Sequence, residues 1–169
     1  MNPTPDQLAR ASTLRRASVL KSLAKRSQKA QNKPRTKVKP KKAISYKLAK
    51  KKAWDAVSVW VRSSAADKDG IAECVTCGVR KPWRQLQAGH FVPGRGMAIL
   101  FDTRGIHPQC FACNVFKKGH PRSYDRYMRM TYGNQVVDEL DELATTVRKY
   151  TVPELLNIEA HYKKLTSAL

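Results

Sequence analysis

The sequence predicts an α+β protein, a small metal-stapled core of short strands flanked by α-helices and preceded by a basic arm. Three observations point there. Four cysteines stand in two Cys-x-x-Cys pairs, Cys74/Cys77 and Cys110/Cys113, with 32 residues between the pairs. Apolar residues recur at helical spacing before the first pair and again after the second. Between Ala72 and Gly96 the apolar runs are short and are punctuated by Gly78, Pro82, Pro93, Gly94 and Gly96, which is strand and turn material.

The arm comes first in the chain. Of 169 residues, 33 are Lys or Arg and 13 Asp or Glu, a formal charge of +20. Residues 1–52 hold 17 of the bases and one acid, Asp6, so 16 of the 20 net charges sit in under a third of the chain. The stretch 27–42 has Pro34 and Pro40, no aromatic residue and little to bury, so entropy should keep it disordered alone. Upstream, Leu8, Leu14, Val19, Leu20 and Leu23 form a loose pattern that can become helical on a partner. We divide the chain into a flexible basic arm, 1–44, and a globular part, 45–169. Cations that neutralise phosphates release counterions, so the arm, including Lys37, Lys39, Lys41 and Lys42, should bind DNA with strong salt dependence and no sequence preference. A membrane surface is the rival partner, but the arm carries no Trp or Phe to anchor there. No run approaches the roughly 18–20 apolar residues of a membrane span, and the start lacks the apolar region of a secretory signal. The expected location is the cytoplasm.

In the globular part, Leu48, Ala53, Trp54, Val57, Trp60 and Val61 predict a helix over about 45–62, with both tryptophans turned to the core. A hairpin is expected within 72–96. Three helices should follow the second cysteine pair: 121–132, stopped by Gly133; 134–146, with Val136, Val137, Leu140 and Leu143 on one face; and 151–165, opened by Thr151 and Glu154 at capping-box spacing. Pro153 suits the first turn of that last helix.

A two-residue gap lets both thiolates of a pair reach one ion, and two pairs complete the tetrahedral sulfur shell that structural Zn²⁺ prefers. Such a shell has no open position, so any chemistry needs other groups. Between and after the pairs stand His90, Asp102, His107, Asn114 and His120, with Arg95, Lys117, Lys118, Arg122 and Arg126 as cations. A base for water, a hard cation for the phosphate and cationic groups for the backbone are what phosphodiester hydrolysis requires.

The string Cys74-x-x-Cys77, Ala88-Gly89-His90-Phe91, Leu100-Phe101-Asp102, Ile106-His107-Pro108-Gln109-Cys110-x-x-Cys113-Asn114, then Lys118-Gly119 and Tyr124, resembles the NinG (Rap) family of phage recombination nucleases over about residues 45–169. More broadly it is similar to HNH, or His-Me finger, endonucleases, which implies a zinc-stapled ββα-metal core. The resemblance implies cleavage of branched DNA such as Holliday junctions or displacement loops. It makes His90 the general base and Asn114 a ligand of catalytic Mg²⁺ or Mn²⁺. It also puts His107 near the metal or phosphate, Asp102 and His120 as further ligands, and Arg95 on the DNA backbone. Two positions depart from the pattern: Gly89 stands where many HNH enzymes have an aspartate ligand, and Gly105 where the family often has asparagine.

Each of these residues also has a plain structural role open to it. Asn114 suits a helix cap, Asp102 a turn, His120 a helix start and His107 packing, while His161 reads as structural. Paired cuts at a symmetrical junction would suit a homodimer. The rival function is a non-catalytic zinc-ribbon protein that only binds nucleic acid.

Overall fold

The computed structural model describes residues 18–26, 43–94 and 96–169. Two compact units divide the chain, 1–42 and 43–169. In the first, 18–26 form a helix, α1, with every residue exposed. The expectation of disorder over 27–42 lies outside the described residues.

The second unit opens with α2, Tyr46–Ser64, capped by Ser45, whose hydroxyl accepts from Leu48 N. Ala49, Ala53 and Val57 recur every four residues and are fully buried, so one face is small and apolar and lets the last helix, α4 (Val152–Thr166), lie close. Leu48 falls outside that face and is exposed, contrary to the sequence expectation. Trp54 and Trp60 are half-buried at the core's margin.

The expected hairpin is present as β1, Ile71–Glu73, paired antiparallel with β2, Arg80–Pro82. The first cysteine pair forms its tip, where Gly78 takes φ +75° and donates its N–H to Cys74 O at 2.8 Å. A second two-stranded sheet pairs β3, Gln87–His90, with β4, Ile106–Gln109, across the 91–105 loop, in register Gln87↔Gln109, Gly89↔His107 and His90↔Ile106. After β4 come a short π-helical turn, Ala112–Phe116, and the long helix α3, Pro121–Thr145. The helix breaks at Gly133 (φ 83°, ψ 169°), where the sequence stops one helix and starts the next. The break lets Tyr124 and Met128 on one side and Val137 and Leu140 on the other share one buried cluster. Finally α4, Val152–Thr166, carries the expected capping box, Thr151 with Glu154, and Pro153 in its first turn.

Strand β3 is covered on one face by α2 and α4, where Ala88 joins Val57, Leu100, Ile106 and Leu155. Its other face meets α3. Among the described residues no helix is long and apolar enough to cross a membrane.

Candidate functional site

The four cysteine Sγ atoms lie within 4.8 Å of one another, with Cys77 and Cys110 3.8 Å apart. Four thiolates about 2.3 Å from a central Zn²⁺ would stand about 3.8 Å from each other, so the cluster is of the right size and chemistry to hold a metal ion such as zinc. Cys74, Cys110 and Cys113 are buried and Cys77 is exposed. Burial alone would raise the Cys74 thiol, but the Thr76 hydroxyl and nearby backbone N–H groups bring it down to about 6; Cys77, though exposed as a residue, has its sulfur turned in among the other three, and that desolvation together with the neighbouring thiols pushes it up to about 12. Among the described residues no other group of three His, Cys, Asp or Glu side chains converges in this way.

His90 ends β3. Its ring stacks on Trp54 of α2, centroids 4.8 Å apart and planes 21° apart, and Nε2 is 3.2 Å from Leu100 O. A carbonyl oxygen only accepts, so Nε2 carries the proton in the neutral ring and the lone pair is at Nδ1. His90 and Asp102 line one small cleft of about 10 Å³ with Gly105 and Leu140. Asp102 caps the short turn Thr103–Gly105, and both its oxygens accept from Arg104, which also reaches Glu139 on α3 at 2.8 Å. Burial would raise the Asp102 carboxyl, but the Arg104 hydrogen bonds and charge outweigh it and hold the group below the usual carboxylate range. At Gly105 a β-carbon would stand 3.4 Å from Leu140, at ordinary van der Waals distance.

Asn114 lies in the π-helical turn and donates from Nδ2 to Gln87 Oε1 at 2.6 Å. That commits its amide nitrogen and leaves Oδ1 as the atom suited to a hard cation. Gln87 and Gly89 face one side of β3, Ala88 and His90 the other. The Asn114–Gln87 pair and the His90–Trp54 stack therefore lie on opposite faces of the strand, so the two residues are not brought together as one cluster. His120, before α3, takes a left-handed φ of 52°, and its Nδ1 is buried without a hydrogen-bond partner among the described residues.

His107 is held on both sides. Tyr124 donates to Gly89 O (2.9 Å), so its oxygen accepts from His107 Nδ1 (3.1 Å), and the unprotonated Nε2 accepts from the Tyr132 hydroxyl (2.8 Å). Burial lowers the His107 pKa to about 4 and keeps the ring neutral. With both nitrogens occupied, His107 ties β4 to α3 in this structure; contact with a metal or phosphate would break one of these bonds. The sequence did not show what Gln87, Gln109, Trp54, Tyr124 and Tyr132 hold in place, because each acts through a partner distant in the chain.

Lys117, Lys118, Arg122 and Arg126 are all exposed, the two lysines just after the second cysteine pair in the chain and the two arginines on α3. Arg95, Lys37, Lys39, Lys41 and Lys42 lie outside the described residues. His161 is exposed on α4, its ring edge-on to Tyr162 at 5.0 Å.

A family model described as "Bacteriophage Lambda NinG protein" matches residues 5–169. The chain is 31% identical over 115 residues to "Protein ninG" of Escherichia phage 933W, covering 68% of this chain and 54% of that protein. It is 30% identical over 115 residues to "Protein ninG" of Escherichia phage lambda (68% of this chain, 53% of that protein), and equally to that of Salmonella phage P22 (68% and 54%). The chain thus spans about half the length of the curated relatives it matches. No solved structure matches it. Over nearly its whole length, including the cysteine cluster and the β3–β4 sheet beside it, this chain belongs to the NinG family of phage proteins.

Proposed function

We propose that the protein is a metal-dependent endonuclease that cuts branched DNA, with His90 as the general base. The observation that carries this reading is the state of His90. Leu100 O sets its tautomer and the Trp54 stack sets the plane of its ring, which makes Nδ1 the nitrogen that would take the proton from water in this reading.

Mg²⁺ or Mn²⁺, when bound, would supply charge neutralisation at the phosphate. The donor set fits such an ion held sparingly. Asn114 offers Oδ1, and the buried, unpartnered Nδ1 of His120 follows Gly119, whose N–H bonds Asn114 O at 3.1 Å. Mg²⁺ keeps several waters and takes few protein ligands beside substrate phosphates. Asp102 joins such a shell only by giving up Arg104. The exposed Lys117, Lys118, Arg122 and Arg126, with the basic arm, would hold the DNA backbone.

The second reading, a zinc module that binds nucleic acid without cutting it, is favoured by the placement of Asn114 and His90 on opposite faces of β3 and by the absence of a carboxylate at Gly89. Cleavage of a labelled four-way junction separates the two. The full chain with stoichiometric zinc should cut when Mg²⁺ or Mn²⁺ is added and stay inert without it; binding with no cutting under either ion would favour the zinc module. Branch cutting by symmetrical pairs of nicks would further call for a homodimer, read by sedimentation of the protein–junction complex.

A further inference from the structure

We infer that Phe111, inside the second cysteine knuckle, and Phe116, just after it, form a stacking platform for an unstacked DNA base, so that the protein recognises exposed bases at a branch. The inference rests on DNA being the substrate and deepens that reading by naming what in the DNA is recognised.

The two rings are exposed, Phe111 by 50% and Phe116 by 75%, and Val115 beside them by 45%. They meet edge to face, centroids 5.1 Å apart and planes 89° apart. Leaving a large apolar side chain in water forgoes the gain of burying it, and neither ring belongs to a buried cluster, so the fold itself gains little from them. Their backbone is nevertheless firmly fixed. Cys110 and Cys113 anchor the turn, Lys117 N bonds Ala112 O (2.9 Å) and Gly119 N bonds Cys113 O (2.9 Å). Lys118, Gly119 and His120 then all adopt left-handed φ, reversing the chain directly after the platform.

Charge decides the occupant. Lys117, Lys118 and Arg122 follow Phe116 within six residues and are exposed, and no acid occurs between Thr103 and Tyr124 in the chain. An apolar patch in an unbroken basic setting is complementary to a polyanion that also offers flat apolar faces, which is unstacked nucleic acid. In continuous duplex the faces of the bases are covered by their neighbours. At a branch point they are not, and because every base has a π-face, the platform selects structure and ignores sequence. The same turn carries Asn114, the proposed ligand of the hard cation.

The test uses the full chain with zinc, Ca²⁺ in place of Mg²⁺, and two probes of matched sequence: a four-way junction carrying 2-aminopurine at the branch, and a linear duplex. Phe116→Ala should bind the junction about tenfold more weakly, within the range one base–aromatic stack carries, with duplex affinity and the salt slope unchanged. Phe116→Tyr should retain the junction preference and the 2-aminopurine quenching. Lys117→Ala should instead weaken both probes and lower the salt slope by about one. Equal losses on both probes, or no loss, would overturn the inference. So would a Phe116→Ala chain whose oligomeric state changes while its junction affinity holds, since the patch would then be a contact between copies. A protein that shows the Phe116-dependent preference and never cuts would refute the nuclease reading and leave this inference standing.

Discussion

The side-chain amide of Gln109 fills the space that a β-carbon on Gly89 would take. Gln109 is fully buried on β4, its Nε2 donating to Gly119 O at 2.8 Å, while its Oε1 lies against the Gly89 backbone with no hydrogen-bond partner among the described residues. Position 89 is glycine because its neighbour across the sheet has taken the room. An aspartate there cannot be added without moving Gln109.

Gly89→Asp should therefore destabilise the protein by about 1–3 kcal/mol, through overpacking and a displaced amide. Urea unfolding in a double-mutant cycle with Gln109→Ala checks it. The two changes should be strongly non-additive, because the collision disappears once Gln109 is shortened.

Tyr124→Phe removes the buried hydroxyl between His107 and Gly89 and leaves the His107 Nδ1–H unpaired, at a cost of about 1–3 kcal/mol. Tyr132→Phe should cost less, since Tyr132 is partly open to water, which can replace the lost donor. Comparing the two unfolding midpoints measures the difference.

His107 should stay neutral well into acid. Its folded pKa is about 4 against about 6.5 in the unfolded chain, so on acidification the unfolded state takes the proton first. The stability tied to keeping His107 neutral is fully present above about pH 6.5 and is lost as the pH falls towards 4, by at most about 3 kcal/mol. The His107 Hε1 NMR shift should not move between pH 7.5 and 5.5.

Cys77→Ser should reduce the bound metal and unfold the region around β1, β2 and the second cysteine pair, because Leu86 and Trp83 pack on the cysteines themselves. Metal analysis should give one zinc per wild-type chain, and near-UV circular dichroism should collapse in the variant. A folded, metal-free Cys77→Ser would show that the cluster stands without an ion.

Much of this architecture is written locally. The Cys-x-x-Cys spacing gives the cluster, Gly133 gives the break in α3, and Thr151 with Glu154 gives the start of α4, each within a few residues of chain. What the sequence did not reveal depends on strand pairing across the 91–105 loop. Only the register Gln87↔Gln109 and Gly89↔His107 brings the Gln109 amide over Gly89, joins Asn114 to Gln87 and sets His107 between two tyrosines. Leu48 was misplaced because three small residues, Ala49, Ala53 and Ala56, carry the buried face of α2, and alanines weigh little in a search for large apolar side chains. The Phe111–Phe116 pair had a local signal, two aromatics beside a cysteine pair and two lysines, that core-directed reading passes over.

The central claim is that His90 takes the proton from water. Its most direct measurement is the rate at which His90→Ala cuts a four-way junction in Mg²⁺ or Mn²⁺, with zinc content and junction affinity shown to match wild type. A general base of this kind contributes about 10²–10⁴-fold, so a fall of at least about a hundredfold is the predicted result. Undiminished cutting by the folded variant would contradict the account.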